Sequence, residues 1–476
     1  MTEKSTTGRG ESPDAQTAAL VEAAHHCEAL PTIDDYLPYR NFGDMWASLV
    51  SRWPERRWMA YYHCDEENEE PEWITYGQFS ELLDRVAALL ASEYHISAGC
   101  TIATMTISQT FTAALYFAAW RLGARVVPID PRLPDERVAE IITNAEVILL
   151  IVHTATREDL GPLDAVLDEH LQCTLILDGA HREDALTAGW DDFNAALDEV
   201  DLSTKMPGVP DVSWDADALV VHEPGRDDPP KGVVLTQKQL FAEAYAICQW
   251  HGINEHSVIM NVLPLPDVNG VVMTLVVPAF VGARAIINRR FRIKGFWEKI
   301  TEHDVEIVSL APPLLEALLE SDQEIDRAAM PNFRHIICGG GSLSVELTKA
   351  SQERFGLKIA YGYRRPETGC YASFLPADLE WHEHARWMYG QDVPSIGGPI
   401  AVNDMAVHGV TGEPVPDGEK GELVVRGHNI MAGFLNDPEA DAASFVGGWF
   451  RTRDEGFKLR GKDGRDYYFV TGRIEA

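Results

Sequence analysis

Positive charge is what this sequence has least of. Against 74 Asp and Glu it sets 40 Lys and Arg, a formal net charge of −34, and that balance excludes a basic face for nucleic acid or for an anionic membrane surface. Patterned cysteine is missing too. The seven cysteines, Cys27, Cys64, Cys100, Cys173, Cys248, Cys338 and Cys370, are odd in number and contain no C-x-x-C pair. They predict reduced, mostly buried thiols in a cytoplasmic protein, neither a disulfide framework nor a zinc site. Long apolar runs are absent as well: the longest, Val271 to Ile287, is broken by Pro278, Gly282 and Arg284. It falls short of the roughly 20 residues that a membrane-spanning helix needs. The first residues, MTEKSTTGRGESPDAQ, carry no apolar core of the kind a signal peptide requires, and residues 1–38 read as an N-terminal tail.

What is present is enough apolar residue for large cores. The 476 residues are 45% hydrophobic and 24% charged, an ordinary globular balance in a chain too long for one core. Strand and helix patterns alternate from Thr101 to Val152, with continuous apolar strands and short Gly/Pro connections, which predicts a parallel α/β layer. A similar alternation follows from Lys238 to Tyr361. From about Ser395 the pattern turns to short strands separated by Gly-rich turns, the mark of a small antiparallel sheet. The expected division is therefore an α/β subdomain over 39–205, a second, similar one over 206–394, and a small β subdomain over 395–476.

Between the two α/β segments lies Val220 to Leu235, VVHEPGRDDPPKGVVL, a strand, a Gly/Pro/Asp turn and a second strand. Loops of this shape cradle phosphate, because backbone N–H groups and a lysine can face one anion. Here Glu223, Asp227 and Asp228 stand where the phosphate would lie, and each like-charge encounter costs on the order of 1 to 4 kcal/mol, depending on dielectric. The acids read as a solvated acidic turn or as hard oxygen ligands for a cation. His382-Glu383-His384 invites a metal reading, but histidines at i and i+2 do not share a helical face, and surface positions are expected there.

Several ordered motifs then add up. Trp73-Ile74-Thr75-Tyr76 precedes the first long helix, and Leu263-Pro264-Leu265 follows in the second segment. Gly421-Glu422-Leu423, Arg426-Gly427, Gly433-Phe434, Trp449-Phe450-Arg451-Thr452-Arg453-Asp454 and Gly472-Arg473 come later. Over roughly residues 40 to 475 the chain resembles the adenylate-forming superfamily of acyl-CoA synthetases, luciferases and peptide-synthetase adenylation domains. The resemblance implies the large N-terminal domain of those enzymes and a reaction in which a carboxylic acid and ATP give an acyl-adenylate. A thiol, of CoA or of a carrier protein, then takes the acyl group.

Residue by residue, the resemblance implies nucleotide contacts at Gly339, Gly340, Gly341, Tyr361, Gly362, Asp454 and Arg473. From the phosphate loop it retains Gly225, Lys231 and Thr236. The Mg²⁺-binding glutamate of relatives sits in a Tyr-Gly-x-Thr-Glu motif, whereas this chain reads Tyr361-Gly362-Tyr363-Arg364-Arg365-Pro366-Glu367-Thr368. Without a gap that position holds Arg365; with two residues inserted it holds Glu367. Both alignments stand, and both residues are catalytic candidates, Glu367 being the candidate Mg²⁺ ligand. An aromatic-histidine pair at the acyl pocket of relatives is replaced by Pro266-Asp267, which makes Asp267, Val268, Asn269 and Gly270 the candidate substrate pocket.

The resemblance also implies a C-terminal lid bearing a catalytic lysine. The sequence stops at Ala476, directly after the hinge motif, so the lid is expected to be absent or supplied by another chain. Two readings follow: an AMP-forming acid–thiol ligase core with ATP and Mg²⁺, or a degenerate acyl-binding or acyl-transfer relative that does not use ATP. The expected partners are a small carboxylic acid and possible carrier or lid-bearing chains, without nucleic acid or membrane.

Overall fold

The computed structural model describes residues 15–63, 70–157, 161–167, 171–176, 190–200, 211–222 and 231–474. Three sheets organise these residues, one of nine strands, one of eight and one of five. The two α/β layers and the small antiparallel sheet expected from the strand patterns are all present.

In the eight-stranded sheet the run from Asp217–His222 through Arg125–Pro128, Thr101–Met105, Leu149–His153, Gln172–Ile176 and Asp191–Asp192 is parallel. Gly232–Thr236 and Gly433–Phe434 extend it antiparallel at one edge. The nine-stranded sheet is parallel from Lys358–Arg364 to Arg57–Tyr62 and antiparallel at both ends. Sheet membership does not follow the chain order expected around residue 205. Arg57–Tyr62, apolar and buried on both faces after its first residue, sits beside Arg284–Asn288 in the nine-stranded sheet. Asp217–His222, which comes later in the chain, joins the eight-stranded one.

Helix Thr110–Leu122 is buried on almost every side, which fits its Ala- and aromatic-rich sequence. It packs on Tyr76–Ser92, a helix opened by a capping box in which Thr75 and Gln78 exchange hydrogen bonds. Phe42, Trp46, Trp58, Tyr76, Phe79, Phe117 and Trp120 form one aromatic cluster here. A second helical passage, Val268–Val271 through a π-helical Val272–Val276 to Val277–Val281, carries Pro278 without breaking. The proline falls at the start of the last segment, where a missing N–H costs least.

Part of the expected tail is built structure. Ala15–His25 is a helix that packs on the small sheet and on Pro438–Ser444, burying Val21 and Ala24. Tyr36 is buried and stacks on Tyr245 with ring centroids 4.4 Å apart. The physical reason is apolar spacing in QTAALVEAAH, too short for a signal peptide but long enough for one buried stripe. His384, expected at the surface, is buried in helix Trp381–Tyr389 and hydrogen-bonds Ile359 O at 3.1 Å. Of the cysteines, Cys248, Cys338 and Cys370 are buried, while Cys27, Cys100 and Cys173 are only half-buried; all six are free thiols. No helix among the described residues is long and apolar enough to cross a membrane.

Candidate functional site

A cavity of about 370 Å³ opens where the carboxyl ends of the nine-stranded sheet face the small sheet. Crevices beyond the carboxyl ends of parallel strands are where open α/β sheets bind ligands. One wall is Gly340–Leu343, the turn after strand His335–Gly339, together with Tyr361–Arg364 at the end of the neighbouring strand. Asp454 and Val470–Arg473 form the opposite wall, with Val393, Pro394 and Ile396 closing the side.

The glycines of this wall are needed. Gly339 faces Tyr371 and the Gly362 carbonyl, so a Cβ there would lie 2.6 Å from the Tyr371 ring. Gly340 has φ +79, and any side chain on it would collide with the Arg364 guanidinium. Tyr361 donates its hydroxyl to Gly341 O at 3.1 Å and pins the turn. Across the cavity, Asp454 and Arg473 are cross-strand partners, and Arg473 Nε lies 3.5 Å from Asp454 Oδ1.

Behind Asp454 the polar groups are densely paired. Arg365 is buried and donates to both oxygens of Glu367, Nε to Oε2 at 3.1 Å and Nη2 to Oε1 at 2.6 Å. Its Nη1 reaches Asp454 Oδ2 at 3.1 Å and also donates to Thr452 O. Tyr363 donates its hydroxyl to the same Asp454 oxygen, and burial holds that phenol well above its ordinary pKa. Arg365 is thus counter-ion to two buried carboxylates.

Arg364 points the other way, into the cavity wall. It forms an ion pair with Asp267 through both terminal nitrogens. Burial works against its charge, but Asp267, with smaller contributions from Cys370 and Tyr371, outweighs it and the pKa is raised. Its Nε is buried and has no hydrogen-bond partner. Asp267 also caps the helical passage by accepting from Asn269 N at 2.7 Å. Asn269 is buried, donating to Tyr371 Oη at 2.8 Å and accepting from Ser309 Oγ at 3.0 Å. Val268 is buried, and Gly270 packs so close to Pro264 O that no Cβ fits.

Of the residues singled out in the sequence, Gly340, Gly341, Tyr361, Gly362, Asp454 and Arg473 meet in the cavity lining, with Gly339 directly behind. Asp267 reaches it through Arg364. Thr236 does not: its hydroxyl accepts from Gln239 N as the N-cap of helix Gln237–His251. Lys231 faces Asp437 Oδ2 at 3.7 Å and the Phe434 ring. Gly225, with Glu223, Asp227 and Asp228, lies outside the described residues. Sequence reading passed over Arg364 as a site residue, although in the gapless alignment it stands at the threonine of Tyr-Gly-x-Thr-Glu.

The fit to Mg²⁺ can be tested on Glu367. A metal ligand must offer an accessible oxygen lone pair, whereas Glu367 is buried and each of its oxygens is already engaged by the Arg365 fork. Among the described residues no group of three His, Cys, Asp or Glu side chains could hold a metal ion. The residues present do not fit the ion at this position.

A family model described as "AMP-binding enzyme" matches residues 47–435. Sulfoacetate–CoA ligase of Cupriavidus necator is 29% identical over 262 residues, covering 55% of this chain and 48% of that protein. Indoleacetate–CoA ligase of Aromatoleum aromaticum is 26% identical over 401 residues, 84% of this chain and 73% of that protein. The chain therefore spans about half the length of the first relative and about three-quarters of the second. Among solved structures, the N-terminal domain of FACL13 from Mycobacterium tuberculosis superposes with a TM-score of 0.74 at 22% identity, covering 90% of this chain and 99% of that one. That likeness speaks for the fold.

Proposed function

From the premise that the chain belongs to the AMP-binding enzyme family, we propose that it is the nucleotide- and acid-binding core of an AMP-forming acyl-CoA ligase. The single observation that carries the reading is the convergence of Gly340, Gly341, Tyr361, Gly362, Asp454 and Arg473 on one cavity. These residues come from two sheets, and a shared lining is what a nucleotide site requires of them.

In this reading the buried Asp454 carboxylate accepts from sugar hydroxyls, and Arg473 beside it screens the charge. The Gly340–Gly341 turn lets a planar base approach the backbone, which a side chain would prevent. The acid enters beside Asp267–Gly270. One of its carboxylate oxygens attacks the α-phosphorus of ATP, and pyrophosphate leaves with the bonding electron pair. A thiolate then attacks the acyl carbon and AMP departs. The two relatives carry the names of dissimilar acids joined to CoA, which supports a small carboxylic acid and a CoA thiol without narrowing the acid further.

ATP–pyrophosphate exchange across a panel of small carboxylic acids tests the proposal, with at least one acid expected to drive exchange. A folded protein that binds no nucleotide and exchanges with none of the acids overturns it. A second reading, a relative that binds nucleotide or acyl group without adenylation, is favoured by one observation: Arg365 engages both oxygens of Glu367. Nucleotide binding without exchange is the result that selects it.

A further inference from the structure

Two adjacent arginines, Arg364 in the cavity lining and Arg365 behind it, stand where relatives of this chain are expected to use a metal carboxylate. Arg365 neutralises Glu367 and Asp454 from beneath. Arg364 lies in the cavity wall with its side chain only 9% exposed. We infer that these guanidiniums replace the divalent cation, so that this cavity binds the phosphates of a nucleotide without Mg²⁺, with Arg364 as the phosphate-facing donor.

Three observations carry the inference. First, Glu367 is buried with both oxygens in a bidentate fork, so a metal reaching it would compete with a guanidinium that also serves Asp454 and Thr452. Second, Arg364 keeps a buried Nε–H with no acceptor. That nitrogen packs against Gly340; a buried unpaired donor is costly, so a small shift of the side chain toward an anion in the cavity would relieve it. Third, Arg364 is anchored by Asp267 through both terminal nitrogens, which fixes the guanidinium plane before any ligand arrives. A planar fork held this way matches phosphate geometry, in which charge-assisted bonds are about twice as strong as neutral ones. The charges in this group also balance: Arg364, Arg365 and Arg473 against Asp267, Glu367 and Asp454. An anion therefore meets no net negative wall.

The inference rests on the nucleotide reading of the same cavity, and calorimetric titration of the full chain separates the two. ATP is titrated in EDTA and again in excess Mg²⁺, with adenosine as the phosphate-free control. Dissociation constants for ATP within about twofold of each other are expected. ATP binding that weakens about tenfold or more in EDTA overturns the inference and leaves the nucleotide reading standing. No binding of ATP or adenosine by folded protein in either buffer overturns both.

Arg364→Gln is expected to weaken ATP about tenfold while leaving adenosine unchanged, and Arg364→Lys to recover part of the loss. Equal ATP affinity in Arg364→Gln and the unaltered chain removes Arg364 from the phosphate contact. Because the EDTA comparison uses the unaltered protein, it stands even if a variant fails to fold.

Discussion

Arg365 and Glu367 flank Pro366 and share a bidentate ion pair, with Nε–Oε2 at 3.1 Å and Nη2–Oε1 at 2.6 Å. Both side chains are under one-tenth exposed. The proline starts a single 3-10 turn, Pro366–Thr368, and this local bend allows residues so close in sequence to face each other. The two alternative catalytic residues of the sequence reading are thus a single ionic unit, with Asp454 as its third member.

Arg365→Ala leaves Glu367 and Asp454 buried without their shared counter-ion. Removing one partner of a buried pair costs about 3–5 kcal/mol, and urea unfolding is expected to show a loss of that order. Arg365→Lys keeps the charge but not the fork and is expected to lose less. An Arg365→Ala protein within about 1 kcal/mol of the parent would show that the pair contributes little beyond its desolvation cost.

Stability is expected to fall as pH drops from neutral. His251 and His335 are buried and share a ring–ring hydrogen bond of 2.9 Å. Burial pushes His335 down to about 3 and His384 to about 4, and holds His251 well below its ordinary value. Folded pKa values below the unfolded value of about 6.5 mean that the unfolded chain binds more protons beneath that pH. The stabilisation is complete above about 6.5 and is lost as pH falls toward 4 and then 3, by up to about 1.4 kcal/mol per unit for each histidine.

Glu243 acts in the opposite direction. Burial raises it to about 8, so its contribution is complete below about 4.5 and is lost as pH rises through 8. Asp441, which burial raises to about 6, acts in the same direction as Glu243, whereas His222, His303 and His428, each pushed down to about 4, add to the other three histidines, so between about 4.5 and 6.5 the histidines dominate. Urea midpoints at about pH 5 and pH 7 check this; equal or higher stability at the lower pH would contradict it.

Tyr36 ties the N-terminal segment to the body of the chain. Its ring stacks on Tyr245, with 13° between the planes, and its hydroxyl meets His428 Nδ1 at 2.8 Å. Tyr36→Ala is expected to cost about 3 kcal/mol through lost aromatic burial, and Tyr36→Phe about 1 kcal/mol through the hydroxyl alone. Equal small losses in thermal unfolding would mean that the segment before residue 38 does not add to global stability.

The layered fold was legible because its evidence is local. Thr110–Leu122 is bounded in the structure where its apolar pattern begins and ends, and Thr75 caps the next helix inward as its position suggests. The site was legible only as a set of isolated positions. Asp454 lies 89 residues from Arg365, and nothing in either local sequence announces their pairing. Thr236, which the resemblance makes a phosphate contact, serves in the structure as the N-cap of Gln237–His251, and Thr236-Gln237-Lys238-Gln239 is itself a capping-box pattern. Ala15–His25 was missed because its stripe is weak and its partners lie some four hundred residues away, as with His25 Nε2 and Met431 O at 2.9 Å.

Gly340→Ala probes the cavity through its backbone. At φ +79 a Cβ costs about 1–2 kcal/mol from local crowding alone. The same Cβ would collide with the Arg364 guanidinium, and because that group ends a flexible side chain, it can swing away. The swing takes Arg364 off Asp267 and withdraws its donors from the wall. The expected result is a modest loss in the unfolding free energy, of the order given by the backbone term, together with a disproportionate loss of ATP affinity, about tenfold or more. Adenosine, which presents no phosphate to Arg364, should lose less. A variant that pays the backbone cost yet binds ATP as tightly as the parent would show that Arg364's position against Gly340 has no part in ligand binding.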